Sequence, residues 1–256
     1  MKVICTIVLL LIVFSACSVN KNAVVAHRGA WKTPNYPENS IASLRHAIDL
    51  KLSGSEFDVW RTADDSLVIN HDPHYNKLLI EETNYKDLAA FRLSNGEKLP
   101  TLYEYITEGK KNNTSTALVC EIKPSQISKE RGKVTAQKAV EMVKRLKAEN
   151  ITGYISFDYE ILKQIRKVDS KTFLQYLEGN KSPKEVKTDG ITGIDYHYSV
   201  FKKHPEWISE AKANKITLNA WTVNDVETMD WIIDNKFDFI TTNEPELLLD
   251  RIKQKR

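Results

Sequence analysis

Apolar residues recur along the chain in two rhythms. Short runs rich in β-branched and aromatic residues predict strands at Val24–Ala26, Glu56–Trp60, Ala117–Ile122, Tyr154–Phe157, Thr172–Leu177, Ile191–Tyr196, Thr217–Trp221 and Phe237–Thr241. Between most of them the apolar spacing widens to a helical period, predicting helices over Ser40–Leu50, Thr101–Glu108, Thr135–Glu149, Glu160–Lys167, Pro205–Ala213 and Val226–Asp234. Strands separated by helices in 256 residues predict an α/β chain closed into a (β/α)8 barrel, with a doubly wound open sheet as the alternative. Leu67 to Pro100 breaks the rhythm: an extra strand, Leu67–Asn70, is followed by a polar stretch bearing aromatics. A small insertion after a barrel strand commonly roofs the site at the C-terminal face.

The first residues follow a third pattern. Lys2 precedes an apolar run of 12 residues, Val3 to Phe14, which suits a secretory leader and is too short to span a bilayer. Ser15-Ala16-Cys17-Ser18 then resembles the lipobox of bacterial lipoproteins. That resemblance implies a signal peptide over 1–17 with lipidation at Cys17, a short polar tether over 18–22 and a barrel domain over 23–256. The expected location is the bacterial envelope, as an exported lipoprotein anchored to the membrane on its periplasmic or outer-membrane face. Plain secretion with cleavage nearby is the alternative. Cys120 is left without a disulfide partner and reads as a buried core thiol.

Composition narrows the class. With 41% hydrophobic and 28% charged residues the chain is neither disordered nor fibrous. The net charge of +3 is spread with acids among the bases, so no basic stripe marks a nucleic-acid partner. A large hydrophobic core has to hold the domain.

The chemistry-bearing residues crowd the predicted strand ends. His27-Arg28-Gly29 closes the first, Glu56-Phe57-Asp58 lies on the second with both carboxylates on one face, His71-Asp72 follows the extra strand, and Glu121-Ile122-Lys123 closes the next. Carboxylates, histidines, arginine and lysine so placed are costly to bury without a cation or anion between them. Oxygen ligands select one hard divalent cation, Ca2+ or Mg2+, over zinc. His-Glu-x-x-His, Cys-x-x-Cys, Gly-x-Ser-x-Gly and P-loop motifs are all missing, which sets aside zinc hydrolases, serine hydrolases and nucleotide kinases. Arg28 and Lys123 suit phosphate oxygens, and two histidines can trade protons near neutral pH. Together these residues point to phosphodiester cleavage.

The ordered set His27-Arg28-Gly29, Pro37-Glu38-Asn39-Ser40, Glu56-Phe57-Asp58-Val59, Thr62-Ala63-Asp64, His71-Asp72, Leu99-Pro100-Thr101-Leu102, Glu121-Ile122-Lys123, Trp221-Thr222-Val223-Asn224 and Thr241-Thr242-Asn243-Glu244-Pro245 resembles the glycerophosphodiester phosphodiesterase family over about residues 23 to 250. The resemblance implies a TIM barrel and hydrolysis of glycerophosphodiesters, a small-molecule substrate, to glycerol 3-phosphate and an alcohol. It implies His27 and His71 as the acid–base pair, Glu56, Asp58 and Glu121 as metal ligands, Arg28 and Lys123 as phosphate contacts, and Trp221 against the glycerol. Two other activities remain open: a lysophospholipase D or sphingomyelinase D-like phosphodiesterase giving a cyclic phosphate, and an inactive barrel that binds phospholipid head groups. Glu38 and Asn39 are expected to organise the first loop, with Asn39 alternatively capping the helix from Ser40. The loop Ala30 to Tyr36 is longer than the family's usual one and is expected to bear on pocket shape. Tyr196, His197 and Tyr198 are candidates for the mouth.

Overall fold

A strand buried on both faces leaves its backbone no partner but another strand, and that requirement closes this fold. A computed structural model describes residues 22–255. The leader, Cys17 and tether residues 18–21 lie outside the described residues.

The chain opens with β1 (Val24–Ala26), α1 (Ile41–Asp49) and β2 (Gly54–Arg61), followed by β3 (Leu67–Ile69), β4 (His74–Tyr75), β5 (Leu78–Leu79) and α2 (Tyr85–Leu88) of the insertion. It continues with α3 (Leu102–Gly109), β6 (Ala117–Ile122), α4 (Lys129–Arg145), β7 (Thr152–Ser156), α5 (Tyr159–Val168), β8 (Leu174–Tyr176), α6 (Pro183–Thr188) and β9 (Gly193–His197). It finishes with α7 (Tyr198–Lys203), α8 (Glu206–Asn214), β10 (Thr217–Trp221), α9 (Val226–Asp234), β11 (Phe239–Thr242) and α10 (Pro245–Gln254).

β1 pairs in parallel with both β11 and β2, so the sheet β1-β11-β10-β9-β8-β7-β6-β2 is a closed parallel barrel, not an open one. β2 outruns β1. Gly54 and Ser55 pair with β1, and beyond them Val59 to Arg61 take antiparallel β3 on the same edge. The second strand therefore rises past the rim and carries the insertion above the C-terminal face. Trp60, Val68, Ile80, Leu88 and Leu99 form a small apolar cluster beneath that roof. Buried Glu81 fastens it, accepting hydrogen bonds from Ser125 Oγ, Gln126 N and Arg131 Nε at 2.7, 2.7 and 2.8 Å.

Helix starts follow local chemistry. Ser40 caps α1 by accepting from Ser43 N, Thr101 and Glu104 form a capping box on α3, and Ser182 with Glu185 does so on α6. Ser128 starts α4 at Lys129, a turn and a half earlier than the apolar spacing indicates, because the residues before Thr135 are mostly charged and carry no apolar period. Side chains on the outer face of the barrel wall, among them Phe57, Cys120, Tyr154, Ile194, Leu218 and Ile240, meet the inner faces of the helices in one core. Cys120 is fully buried and unpaired, as expected.

Candidate active site

Period-two alternation decides what enters the barrel. On β2 it turns Phe57 outward to Tyr105, ring centroids 4.4 Å apart, and Glu56 and Asp58 inward. Parallel pairing sets Asp58 opposite Glu121 of β6. Glu56, Asp58 and Glu121 converge, each offering an oxygen within 4.8 Å of the others, and all are buried. Lys123 Nζ lies 3.1 Å from Asp58 Oδ1 and 2.8 Å from Glu121 Oε1. Asn39 Nδ2 donates to Asp58 Oδ2 at 2.8 Å, and Arg28 N donates to Glu56 Oε2 at 2.8 Å. Glu56 Oε1 is buried without a partner.

These acids resist sharing charge. Burial, then Asp58, pushes the Glu56 carboxyl well above the carboxylate range, and the same two causes raise Glu121 to about 7. Burial opposes ionisation of Asp58 too, but Lys123, His71, Asn39 and Arg28 overcome it and hold that carboxyl low. An all-oxygen donor set with an orphaned buried oxygen fits one hard divalent cation.

The turn after β1 delivers the next groups. Arg28 adopts φ 58° and Gly29 φ 81°. A Cβ at Gly29 would lie 2.4 Å from Ser43 Oγ, so only glycine fits. Arg28 Nη1 donates to Glu38 Oε2 at 2.6 Å, and its Nε lies 3.9 Å from Asp58 Oδ2, which holds the guanidinium at the cavity wall. His27 Nδ1 meets Asn243 Oδ1 at 2.8 Å, leaving Nε2 3.9 Å from Glu56 Oε2. Burial, then Arg28, lowers the His27 imidazole to about 4, so it is neutral at pH 7. His71 reaches the same cavity from the end of β3, with its Nδ1 2.7 Å from Asp72 Oδ1.

One cavity of about 110 Å³ is lined by His27, Arg28, Glu56, His71, Glu121 and Lys123, with Ile155, Phe157, Leu177, Asp195 and Trp221 facing them. Asp58 does not line the cavity itself but pairs with Lys123 and belongs to the carboxylate trio. His27, Arg28, Glu56, Asp58, His71, Glu121, Lys123 and Trp221 are thus gathered at the C-terminal face. Trp221 packs edge-on to Phe157 and His197, at 5.5 and 5.3 Å between centroids, and its Nε1 donates to the Asp195 carbonyl at 2.9 Å.

Some expectations are corrected here. Tyr196 does not reach the mouth: strand phase turns it outward against Phe201 and Trp207, while His197 on the opposite phase meets Trp221. None of residues 30–36 lines the cavity. That loop is tied away from it, Lys32 pairing with Glu244 and Tyr36 packing edge-on to His46. Ser40, not Asn39, caps α1, and Asn39 turns to the site instead. Asn243, of the Thr241–Pro245 motif, holds His27. Asp195 also lines the cavity, a placement that the sequence does not signal. Its inward phase was legible from Ile194 and Tyr196, but nothing local marks it as near the carboxylates.

Residues 27–247 match the Glycerophosphoryl diester phosphodiesterase family. A curated glycerophosphodiester phosphodiesterase of Caldanaerobacter subterraneus subsp. tengcongensis is 30% identical over 91% of this chain and 99% of its own. The crystal structure of a glycerophosphodiester phosphodiesterase from Parabacteroides distasonis shares 41% identity, with a TM-score of 0.88 over 92% of this chain and all of that one. An Oleispira antarctica phosphodiesterase, solved with the product sn-glycerol-3-phosphate, has the same fold at 22% identity, with a TM-score of 0.78 over 91% of this chain and 98% of its own.

Proposed function

The chain belongs to the glycerophosphoryl diester phosphodiesterase family, and from that premise we propose that it hydrolyses glycerophosphodiesters to glycerol 3-phosphate and an alcohol, using one divalent cation, Ca2+ or Mg2+. The observation that carries the reading is the buried trio Glu56, Asp58 and Glu121 facing a neutral histidine across a cavity lined by Arg28 and Lys123. The three carboxylates would hold the cation, which when bound supplies charge stabilisation to the phosphate oxygens. Arg28 and Lys123 add fixed positive charge on the same wall. His27 is the base. Its Nδ1–H donates to Asn243, so the Nε2 lone pair is free to take the proton from the attacking oxygen. His71, steadied by Asp72, gives a proton to the leaving alkoxide. Trp221 and Phe157 offer an apolar wall to the glycerol carbons.

Cavity size supports a small substrate. About 110 Å³ is well below the roughly 300–1,000 Å³ of drug-sized pockets, which suits a polar head group better than an acyl chain. We infer that the chain is exported and anchored through Cys17. Asn22 donates to Lys51 O and accepts from Val24 N and Ser53 N, so the chain enters at the barrel's N-terminal rim, opposite the carboxylates. The span from Cys17 reaches at most about 18 Å, so an anchored barrel would turn its site away from the bilayer, toward water-soluble diesters.

The test is hydrolysis of glycerophosphocholine with and without chelator, products read by phosphorus NMR. Glycerol 3-phosphate that disappears with chelator is expected. A cyclic phosphate would favour the lysophospholipase D-like reading, and binding without turnover the head-group-binding one. His27→Ala and His71→Ala should each cut turnover by about 10²–10⁴-fold, with the His71 variant recovering on an aryl ester whose leaving group needs no proton.

A further inference from the structure

The cavity has two unlike walls. β1, β2 and β6 furnish His27, Arg28, Glu56, Glu121 and Lys123, whereas Ile155, Phe157, Leu177 and Trp221 make the facing wall apolar. Within that apolar wall stands one carboxyl, Asp195 of β9. It is 1% exposed, and its Oδ1 is buried without any hydrogen-bond partner. It stands outside the trio whose oxygens converge, and the mechanism above gives it no task.

A buried polar group left unpaired is costly, so a carboxyl whose Oδ1 meets no donor among the described residues is a poor structural element. Its backbone does hold something: the Asp195 carbonyl accepts the Trp221 indole N–H at 2.9 Å. The carboxyl therefore sits beside the ring that covers the apolar half of the cavity. A ligand moiety lodged there needs carbon faces for Trp221 and Phe157 and a hydroxyl for Asp195, and a polyol has both. Burial, then Glu121, also holds this carboxyl well above its usual range, so it can donate as well as accept.

We propose that Asp195 hydrogen-bonds a glycerol hydroxyl of the substrate and sets the preference for a polyol-bearing diester over one without hydroxyls. This rests on the phosphodiesterase reading above. The test is a cycle between enzyme and substrate, comparing kcat/KM on glycerophosphocholine and on propylphosphocholine, the same diester without the glycerol hydroxyls. The wild-type enzyme should favour the glycerol compound by about 10–100-fold. Asp195→Ala should lose that preference, falling on glycerophosphocholine while staying within threefold on the propyl analogue. Asp195→Asn, which keeps an acceptor and a donor, should retain most of it. Equal wild-type rates on both substrates would overturn the inference whether or not the alanine variant folds. So would a preference that survives at full size in Asp195→Ala, or a fall on both substrates together in a folded variant, which would mark a structural role. A wild-type enzyme inactive on both would overturn the phosphodiesterase reading, and this inference with it.

Discussion

Replacing Asn243 by aspartate puts a charge where His27 now meets a neutral carbonyl oxygen, 2.8 Å from Nδ1. In the native site burial and then Arg28 hold His27 at about 4. A carboxylate within hydrogen-bonding distance favours the imidazolium by about 1–3 pKa units, or about 1.4–4 kcal/mol at 1.36 kcal/mol per unit. The upper figure matches the roughly 4 kcal/mol of two charges 4 Å apart at an effective dielectric of about 20. The variant's His27 should then titrate between about 5 and 7. The sign follows from the role: a base is lost when protonated, so the acid limb of kcat/KM moves up by the same amount. With His27 near 6, kcat/KM at pH 5 should fall about tenfold relative to wild type and at pH 8 stay level. The assay is kcat/KM from pH 4 to 9 at saturating cation, beside NMR titration of the His27 imidazole. If the imidazole titration moves and the rate profile does not, His27 is not the base. If neither moves, the contact with Asn243 does not govern this ring.

Other outcomes follow from the same geometry. Glu121, raised to about 7 without a cation, must shed its proton to bind one, so binding at pH 6 should release protons and weaken about tenfold per proton for each pH unit below 7. Calorimetry in two buffers of different ionisation heat measures this, and zero release refutes it. The same raised carboxyl means that the folded, cation-free protein holds a proton which the unfolded chain has lost above about 4.5. Its stability should therefore decline from about pH 4.5 to 7, and added cation should restore it. Arg131→Met leaves the Glu81 carboxylate buried beneath the insertion and should cost about 3–5 kcal/mol in urea unfolding; a loss under about 1 kcal/mol would show that the roof is held by other contacts. Cys17→Ala should give a soluble or unprocessed protein with unchanged activity, and unaltered membrane attachment in fractionation would discard the anchor.

Sequence alone determined the elements and the chemistry of the strand ends. β1, β6 and β10 run over the residues that the apolar spacing indicates, because a strand's period of two and a helix's of 3.6 are local properties, legible within a few turns of chain. The same period places Glu56 with Asp58, and Glu121 with Lys123, on common faces before any partner strand is known. Helices too short to show a period, α6 over Pro183–Thr188 and α7 over Tyr198–Lys203, escaped that reading, though α6 does carry a Ser-Pro-x-Glu cap signal. Tertiary structure alone decided closure over an open sheet, since that turns on two strands at opposite ends of the chain, β1 and β11, meeting beside β2. It decided that Asn39 braces Asp58 while Ser40 takes the cap, and that Asn243 orients His27. Both asparagines sit where a side chain can satisfy either its own turn or a distant strand, and local chemistry does not rank the two. Asp195 is the extreme case. Its period-two phase aims it inward, but only barrel closure brings β9 across the cavity from β2 and β6, and the meaning of a buried carboxyl depends on what it faces.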